Sequence, residues 1–240
     1  MQYLGQITAI VLTILSLTSC TTRIGGKYEA EAAKAHVLIA NSICKTGSNT
    51  VVKASIGAGT VISIKRGRAY VLTAFHVIDG RQAVPEGHDR RILVMASEDG
   101  PVFQAQIEKE LRNGTDAAVV SFRTDEVAPR VRAARISRRN PRRGERILVF
   151  GTTSSSIRDY GRRDVRRYCR ISDNCRVCDI NDRCFLMNEL LRSGYSGGGI
   201  YNRHGRLIGM AIATFMRSED EGMGVAIPIG TLRPLIRAFL

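Results

Sequence analysis

The chain has no tryptophan and only 6% aromatic residues, and neither an internal repeat nor a long low-complexity segment runs through its 240 residues. Repeat arrays and biased tracts are thereby excluded. Its leading apolar run, Ile7 to Leu17, is too short to span a bilayer. Aromatic residues are scarce beside the basic clusters, where Tyr168 stands among arginines, which argues against a track for stacking nucleic-acid bases. One Cys-x-x-Cys pair is present, Cys175 and Cys178, where zinc ribbons show two. Acidic side chains are few: 22 Asp and Glu against 36 Lys and Arg give a formal net charge of +14.

That charge is carried almost wholly by arginine and is concentrated in two runs. One holds Arg130, Arg132, Arg135, Arg138, Arg139, Arg142 and Arg143, the other Arg162, Arg163, Arg166, Arg167, Arg170, Arg176 and Arg183. Such a surface draws any polyanion. For an exported domain the expected neighbour is an anionic envelope surface or an acidic polymer, with no specific nucleic acid; a plain solvated basic face is the alternative.

What is present in quantity is short apolar runs. Thr60–Ile64, Ala69–Phe75, Arg91–Met95, Ala117–Phe122, Arg146–Phe150 and Leu207–Ala213 are rich in Val and Ile and bounded by Gly, Asp or Asn. They read as strands of one mostly β domain, and about 220 residues after removal of a leader is ample for a single core. Two helices are expected at the ends. Tyr28 to Ala40 reads as a spacer helix, and Leu232, Leu235, Ile236 and Phe239 fall at helical spacing, with Pro234 expected in the first turn and the apolar stripe against the C-terminal half of the fold.

Residues 1–20 form a leader ending in Leu17-Thr18-Ser19-Cys20. That tetrapeptide matches the bacterial lipobox, in which the cysteine is diacylated and becomes the new N-terminus; Cys20 would then tether the protein to a membrane. Met1 to Gln6 contains no Lys or Arg, so an ordinary secretory leader is the competing reading. Either leader places the domain outside the cytoplasm, and Thr21 after the cysteine leans towards the outer membrane where there is one. Cys44 stands alone and is expected as a buried thiol. Cys169, Cys175, Cys178 and Cys184 form C-x5-C-x2-C-x5-C, expected as two disulfides of undetermined connectivity, with tetrahedral zinc as the alternative.

Three stretches carry chemistry in the order His, Asp, Ser: Leu72-Thr73-Ala74-Phe75-His76-Val77, Thr115-Asp116-Ala117-Ala118-Val119-Val120, and Ser193-Gly194-Tyr195-Ser196-Gly197-Gly198. A serine hydroxyl is a poor nucleophile unless a base lies within hydrogen-bond reach, so Ser196 needs His76. The imidazole must be held in one tautomer and stabilised when charged, which is the work of a carboxylate, Asp116. The glycines around Ser196 let the chain turn so that the N–H groups of Gly194 and Ser196 face a developing oxyanion.

These motifs resemble the protease domain of the HtrA (Deg) family within the trypsin-like superfamily. The likeness runs from Gly57-Ala58-Gly59-Thr60-Val61-Ile62 through the His76 and Asp116 stretches and Gly144-Glu145-Arg146-Ile147-Leu148-Val149-Phe150-Gly151 to the Ser196 turn. It closes on Gly205-Arg206-Leu207-Ile208-Gly209-Met210 and Gly222-Met223-Gly224-Val225-Ala226-Ile227-Pro228. It implies an all-β chymotrypsin/trypsin-like fold of two six-stranded antiparallel barrels over residues 55–240, preceded by a spacer at 21–54 and followed by a C-terminal helix. It also implies the triad His76, Asp116 and Ser196 in the cleft between the barrels, polypeptide substrates, and no metal or organic cofactor. The likeness lapses over an expected Cys- and Arg-rich insertion at 162–184. Family members usually carry a PDZ domain after the protease domain, whereas this sequence ends at Leu240; it is read as one without that domain. No trimer motif is recognisable in residues 21–54.

Tyr195 departs from the pattern, standing where the family tends to have Asn and digestive relatives have Asp, so pairing with a newly cut N-terminus is not available. By the same resemblance Leu190, six before the nucleophile, would floor the specificity pocket, with Ala211, Ile212 and Ala213 on its wall. Such a pocket favours cleavage after small or medium aliphatic residues, while Glu189 is the rival feature that would favour Lys or Arg. The competing functional readings are a catalytically silent double barrel that binds through the Arg- and Cys-rich segment, and a zinc-dependent or polyanion-binding scaffold.

Overall fold

The computed structural model describes residues 26–48, 50–80, 83–98, 100–111, 115–124, 131–153, 156–170, 183–188, 191–214 and 222–240. The leader with Cys20, and also Cys175, Cys178, Glu189 and Leu190, lie outside the described residues. Among the described residues no helix is long and apolar enough to cross a membrane.

Helix α1 spans Lys27–Ala33 and is followed by strands β1 (His36–Lys45), β2 (Val51–Lys65) and β3 (Arg68–Thr73). A one-turn helix α2 (Phe75–Ile78) precedes β4 (His88–Met95), β5 (Val102–Leu111) and β6 (Ala117–Arg123). These six strands close into a barrel in the order β1-β2-β3-β6-β5-β4.

The second half holds β7 (Arg135–Ile136), β8 (Arg146–Thr153), β9 (Ser156–Arg170), β10 (Arg183–Met187), β11 (Gly199–Asn202), β12 (Arg206–Thr214) and β13 (Gly224–Pro228). Their order is β11-β8-β9-β10-β13-β12-β7, and β11 also pairs with β12. Six strands therefore follow one another in a ring, with the two-residue β7 laid parallel against β12.

The expected helix over Tyr28 to Ala40 is corrected: it stops at Ala33, and Val37 to Ala40 are strand. Val37 and Ile39 lie opposite Gly59 and Gly57 of β2. A Cβ at Gly59 would strike Val37, Ile39 and Val71, so the glycine leaves room for branched side chains to enter the barrel core. The other face of β1, Leu38 and Ala40, packs with Leu93, Met95 and Ile157 of β9. Burying a Val, Ile or Leu contributes about 1.5–3 kcal/mol, whereas helix propensity separates ordinary residues by up to about 0.7 kcal/mol, so burial on both faces decides the matter. The barrel thus begins at His36, upstream of the boundary expected at residue 55.

Two further expectations change. Phe75 ends no strand, because β3 stops at Thr73 and Phe75 opens the short helix that carries His76. Both ends of the expected insertion at 162–184 are barrel strand: β9, which runs to Arg170, pairs with β8 and then with β10, which begins at Arg183.

The C-terminal helix α3 spans Ile229–Ile236, which makes Pro234 its sixth residue rather than a first-turn residue. Pro234 has no N–H to offer the Gly230 carbonyl, and the helix holds through burial of Ile229, Leu232, Leu235 and Ile236. It packs against β6 as well as β12 and β13, joining the two halves.

The barrels meet along the turn before β11. The Ser196 carbonyl accepts from Ala58 N–H of β2 at 2.8 Å, and Gly197 N–H donates to Ala211 O of β12 at 2.8 Å. Gly197 has φ of +87°, and a Cβ there would penetrate the Ala58 carbonyl oxygen and the Thr73 hydroxyl. Gly144 has φ of +76° with nothing within 4 Å of a built Cβ. The Gly144→Ala change should therefore cost about 1 kcal/mol by denaturant unfolding, from strain alone. Gly197→Ala, which adds a clash with backbone, should cost on the order of 2–6 kcal/mol; equal losses for the two would contradict this reading of the inter-barrel contact.

Candidate active site

His76 lies in α2, immediately after a first-barrel strand, and Asp116 sits one residue before β6. The first turn of a helix leaves its N–H groups without intrahelical partners. Asp116 supplies one: Oδ1 accepts from the His76 backbone N–H at 2.8 Å. Its other oxygen, Oδ2, lies 2.5 Å from His76 Nδ1. One carboxylate thereby fixes both the backbone and the ring of His76. The carboxylate side chain is 16% exposed and the imidazole 46%, so the pair is shielded on the Asp side and open on the other. With Nδ1 engaged by the carboxylate, Nε2 is the nitrogen left to act on a substrate or a nucleophile.

Ser196 is held at the junction of the barrels by the bonds from Ala58 and to Ala211 already described. Its hydroxyl donates to Ile212 O at 3.0 Å. That carbonyl is available because the β12–β13 ladder shifts register between Ala211 and Ala213, so that Ile212 has no partner in the ladder. Among the described residues no hydrogen bond joins Ser196 Oγ to His76. The structure therefore brings His76 and Asp116 into direct contact and aims the resting serine at Ile212.

The turn around Tyr195 is tied down by backbone hydrogen bonds. Gly194 has φ of +91°. Its carbonyl accepts from Thr152 N–H at 3.1 Å, and the N–H of the same peptide unit, that of Tyr195, donates to Arg192 O at 3.1 Å. The Tyr195 carbonyl accepts from Gly198 N–H at 2.9 Å. Among the described residues the N–H groups of Gly194 and Ser196 have no hydrogen-bond partner. These are the two donors expected for an oxyanion hole.

Of the expected pocket residues, Ala211 and Ile212 are buried on β12. Ala213 follows them on the same strand, opposite Val225. Cys44 is buried and unpaired, as expected, and burial pushes its thiol up. Cys184 is buried and stands opposite Cys169 in the β9–β10 ladder. Among the described residues no cluster of His, Cys, Asp or Glu suited to a metal is present.

Four contributors were not foreseen: the Ile212 carbonyl, the Thr152 N–H, Asp159 and Arg192. Tyr195 hydroxyl donates to Asp159 Oδ2 at 3.1 Å, and Arg192 Nη1 approaches the same oxygen at 3.5 Å. A bulge and a cross-strand acid leave no local pattern; the single hint was the aromatic residue placed where a small polar one was expected.

Two six-stranded barrels, with a His and an Asp from one and a Ser turn from the other set at their junction, define the chymotrypsin-like architecture. The sequence profile of the trypsin-like peptidase domain matches residues 57–210, more than half of the chain, and the protein belongs to that family. Its relatives include the serine endoprotease DegS of Salmonella typhimurium, 27% identical over 203 residues, covering 82% of this chain and 52% of DegS. The serine protease Do-like HtrA of Bacillus subtilis is 24% identical over 189 residues, covering 77% of this chain and 39% of its own. The chain thus spans about half the length, or less, of these relatives. Among solved structures, the HtrA-type protease AlgW with a tripeptide superposes with a TM-score of 0.66 at 22% identity, covering 89% of this chain and 64% of that one. The serine endoprotease of Yersinia pestis superposes at 0.62 with 21% identity, covering 90% and 67%. Both likenesses establish the fold.

Replacing Asp116 by Asn keeps the volume but presents an amide N–H to Nδ1, which selects the tautomer with its proton on Nε2. The rate at which Ser196 reacts with a fluorophosphonate should fall by about 10⁴-fold without loss of thermal stability. An unchanged rate would show that Asp116 does not set the imidazole.

Proposed function

We propose that the protein is an exported serine endopeptidase that cleaves polypeptides through an acyl-enzyme on Ser196. The observation that carries this reading is the two-point grip of Asp116 on His76, which engages Nδ1 and leaves Nε2 as the nitrogen able to serve as base. In the reaction, Ser196 Oγ turns from Ile212 O to His76 Nε2, gives up its proton and bonds to the scissile carbonyl carbon. The carbonyl electron pair moves to oxygen and is received by the Gly194 and Ser196 N–H groups. Collapse breaks the C–N bond as His76 returns the proton to the leaving amine, and water, deprotonated by His76, then releases the acid. This chemistry is proposed to need no metal or organic cofactor.

An apolar specificity pocket floored by Leu190, with Ala211, Ile212 and Ala213 on its wall, is part of the proposal; the place of Ile212 on β12, where its carbonyl meets the Ser196 hydroxyl, supports it. The silent-module alternative draws on one observation, the resting bond from Ser196 to Ile212. Digestion of denatured casein decides between them. The wild type should cut mainly after Val, Ala or Leu, and Ser196→Ala should lose at least about 10⁴-fold in rate while unfolding at the same temperature. Residual activity above about a hundredth of wild type would overturn the catalytic assignment, and cuts mainly after Lys or Arg would favour Glu189 over Leu190.

Tethering through a lipid on Cys20, and contact of the arginine surface with an anionic envelope, complete the proposal. Among the four clustered cysteines, the register of Cys169 opposite Cys184 supports pairing those two and leaves Cys175 with Cys178, since antiparallel partners lie within the Cα range of a disulfide. Non-reducing peptide mapping should find those two links, and fatty-acid labelling should mark the wild type but not Cys20→Ser. Four reduced thiols with bound zinc, or an equally labelled variant, would overturn the respective assignment.

A further inference from the structure

The oxyanion turn must hold two N–H groups steady, yet the residue between them is an aromatic one whose side chain points away from the cleft. Tyr195 is 2% exposed and belongs to the core of the second barrel with Ile147, Val149, Phe185, Ile200 and Ala211. Its ring lies flat on Gly151 of β8: a Cβ at that position would fall inside the ring's van der Waals envelope. Gly151 is the register partner of Asp159 on β9, and Asp159 is the acid that accepts the Tyr195 hydroxyl. The ring therefore spans the β8–β9 pair from one strand to the other.

Three contacts converge on this spot. Thr152, next to Gly151, holds the Gly194 carbonyl; Asp159 holds the Tyr195 hydroxyl; and Arg192, whose carbonyl takes the Tyr195 N–H, returns its guanidinium to Asp159. Asp159 is 14% exposed, so its carboxylate relies on these donors in place of water. Burial and the neighbouring Asp159 charge push the Tyr195 phenol well above its usual range, which keeps its proton in place to be donated.

We infer that Tyr195 and Asp159 form an internal brace that positions the Gly194 and Ser196 N–H groups for catalysis. Both are positioning residues: neither touches substrate, and they act through the peptide units on either side of Tyr195. The brace rests on the serine-peptidase reading above. It assigns Tyr195 a task for which a small side chain would be too short, because the Tyr195 ring must cross Gly151 to reach Asp159.

Tyr195→Phe keeps the ring and removes the hydroxyl. Loss of one oxyanion donor costs about 10²–10³ in kcat, so loosening the turn that carries both should lower kcat on fluorescein-labelled casein by about 10- to 100-fold. KM should stay near wild type, the unfolding temperature should drop as Asp159 loses a donor while the variant stays folded at the assay temperature, and fluorophosphonate labelling of Ser196 should slow in step with kcat. Asp159→Asn, which keeps an acceptor oxygen, should lose less than Asp159→Ala, and adding Tyr195→Phe to Asp159→Ala should cost little more. A Tyr195→Phe variant that labels and turns over like a labelled wild type overturns the brace. So does a loss matched by an equal fall in the folded fraction. A wild type that takes no label at Ser196 overturns the serine-peptidase reading itself, and the brace with it.

Discussion

The hydrogen bond from Ala58 N–H to the Ser196 carbonyl is the contact on which the site depends, because it fixes Ser196 of one barrel against a strand of the other. Backbone can approach backbone this closely only where a side chain is missing, and Gly197 meets that requirement with a positive φ and no Cβ. From that point the neighbouring peptide units are engaged in turn. The Gly194–Tyr195 unit is held at both ends, Gly197 N–H bonds to Ala211 O and Gly198 N–H to Tyr195 O. Among the described residues the N–H groups of Gly194 and Ser196, which flank Tyr195, are without partners and are the donors proposed for an oxyanion.

A small number of charges does the ordering. Asp116 takes a backbone and a ring proton donor from the same residue, and Asp159 takes a phenol and a guanidinium from the turn. Both acids are largely shielded, where hydrogen bonds to charge are worth about twice those between neutral groups. The surface arginines are different. Arg132 with Glu31 is a pair exposed at both ends that contributes little to stability.

Much of this was legible in the residues themselves. Short Val- and Ile-rich runs between turn residues marked six of the barrel strands, and the order His76, Asp116, Ser196 with glycines about the serine marked the chemistry. The misreadings share a physical cause, which is that long-range burial overrides local preference. Val37 to Ala40 carried no helix-breaking residue, yet they are strand because Gly57 and Gly59 make room for them across the sheet. The arginines of β9 hid a barrel strand behind the composition of a solvated loop. The part played by the Ile212 carbonyl could not be read because its release from the ladder arises from a bulge, and Asp159 could not be picked out because its partner is 36 positions away.

The central claim is that Ser196 carries the acyl group during turnover. Rapid acid quench of the enzyme with the p-nitrophenyl ester of an N-acylated valine, followed by peptide mass spectrometry, tests it most directly. The account predicts a burst of nitrophenol close to one equivalent and an acyl mass on the peptide that contains Ser196, both absent in Ser196→Ala. Ester hydrolysis with no burst and no adduct, or an adduct on another residue, would contradict it.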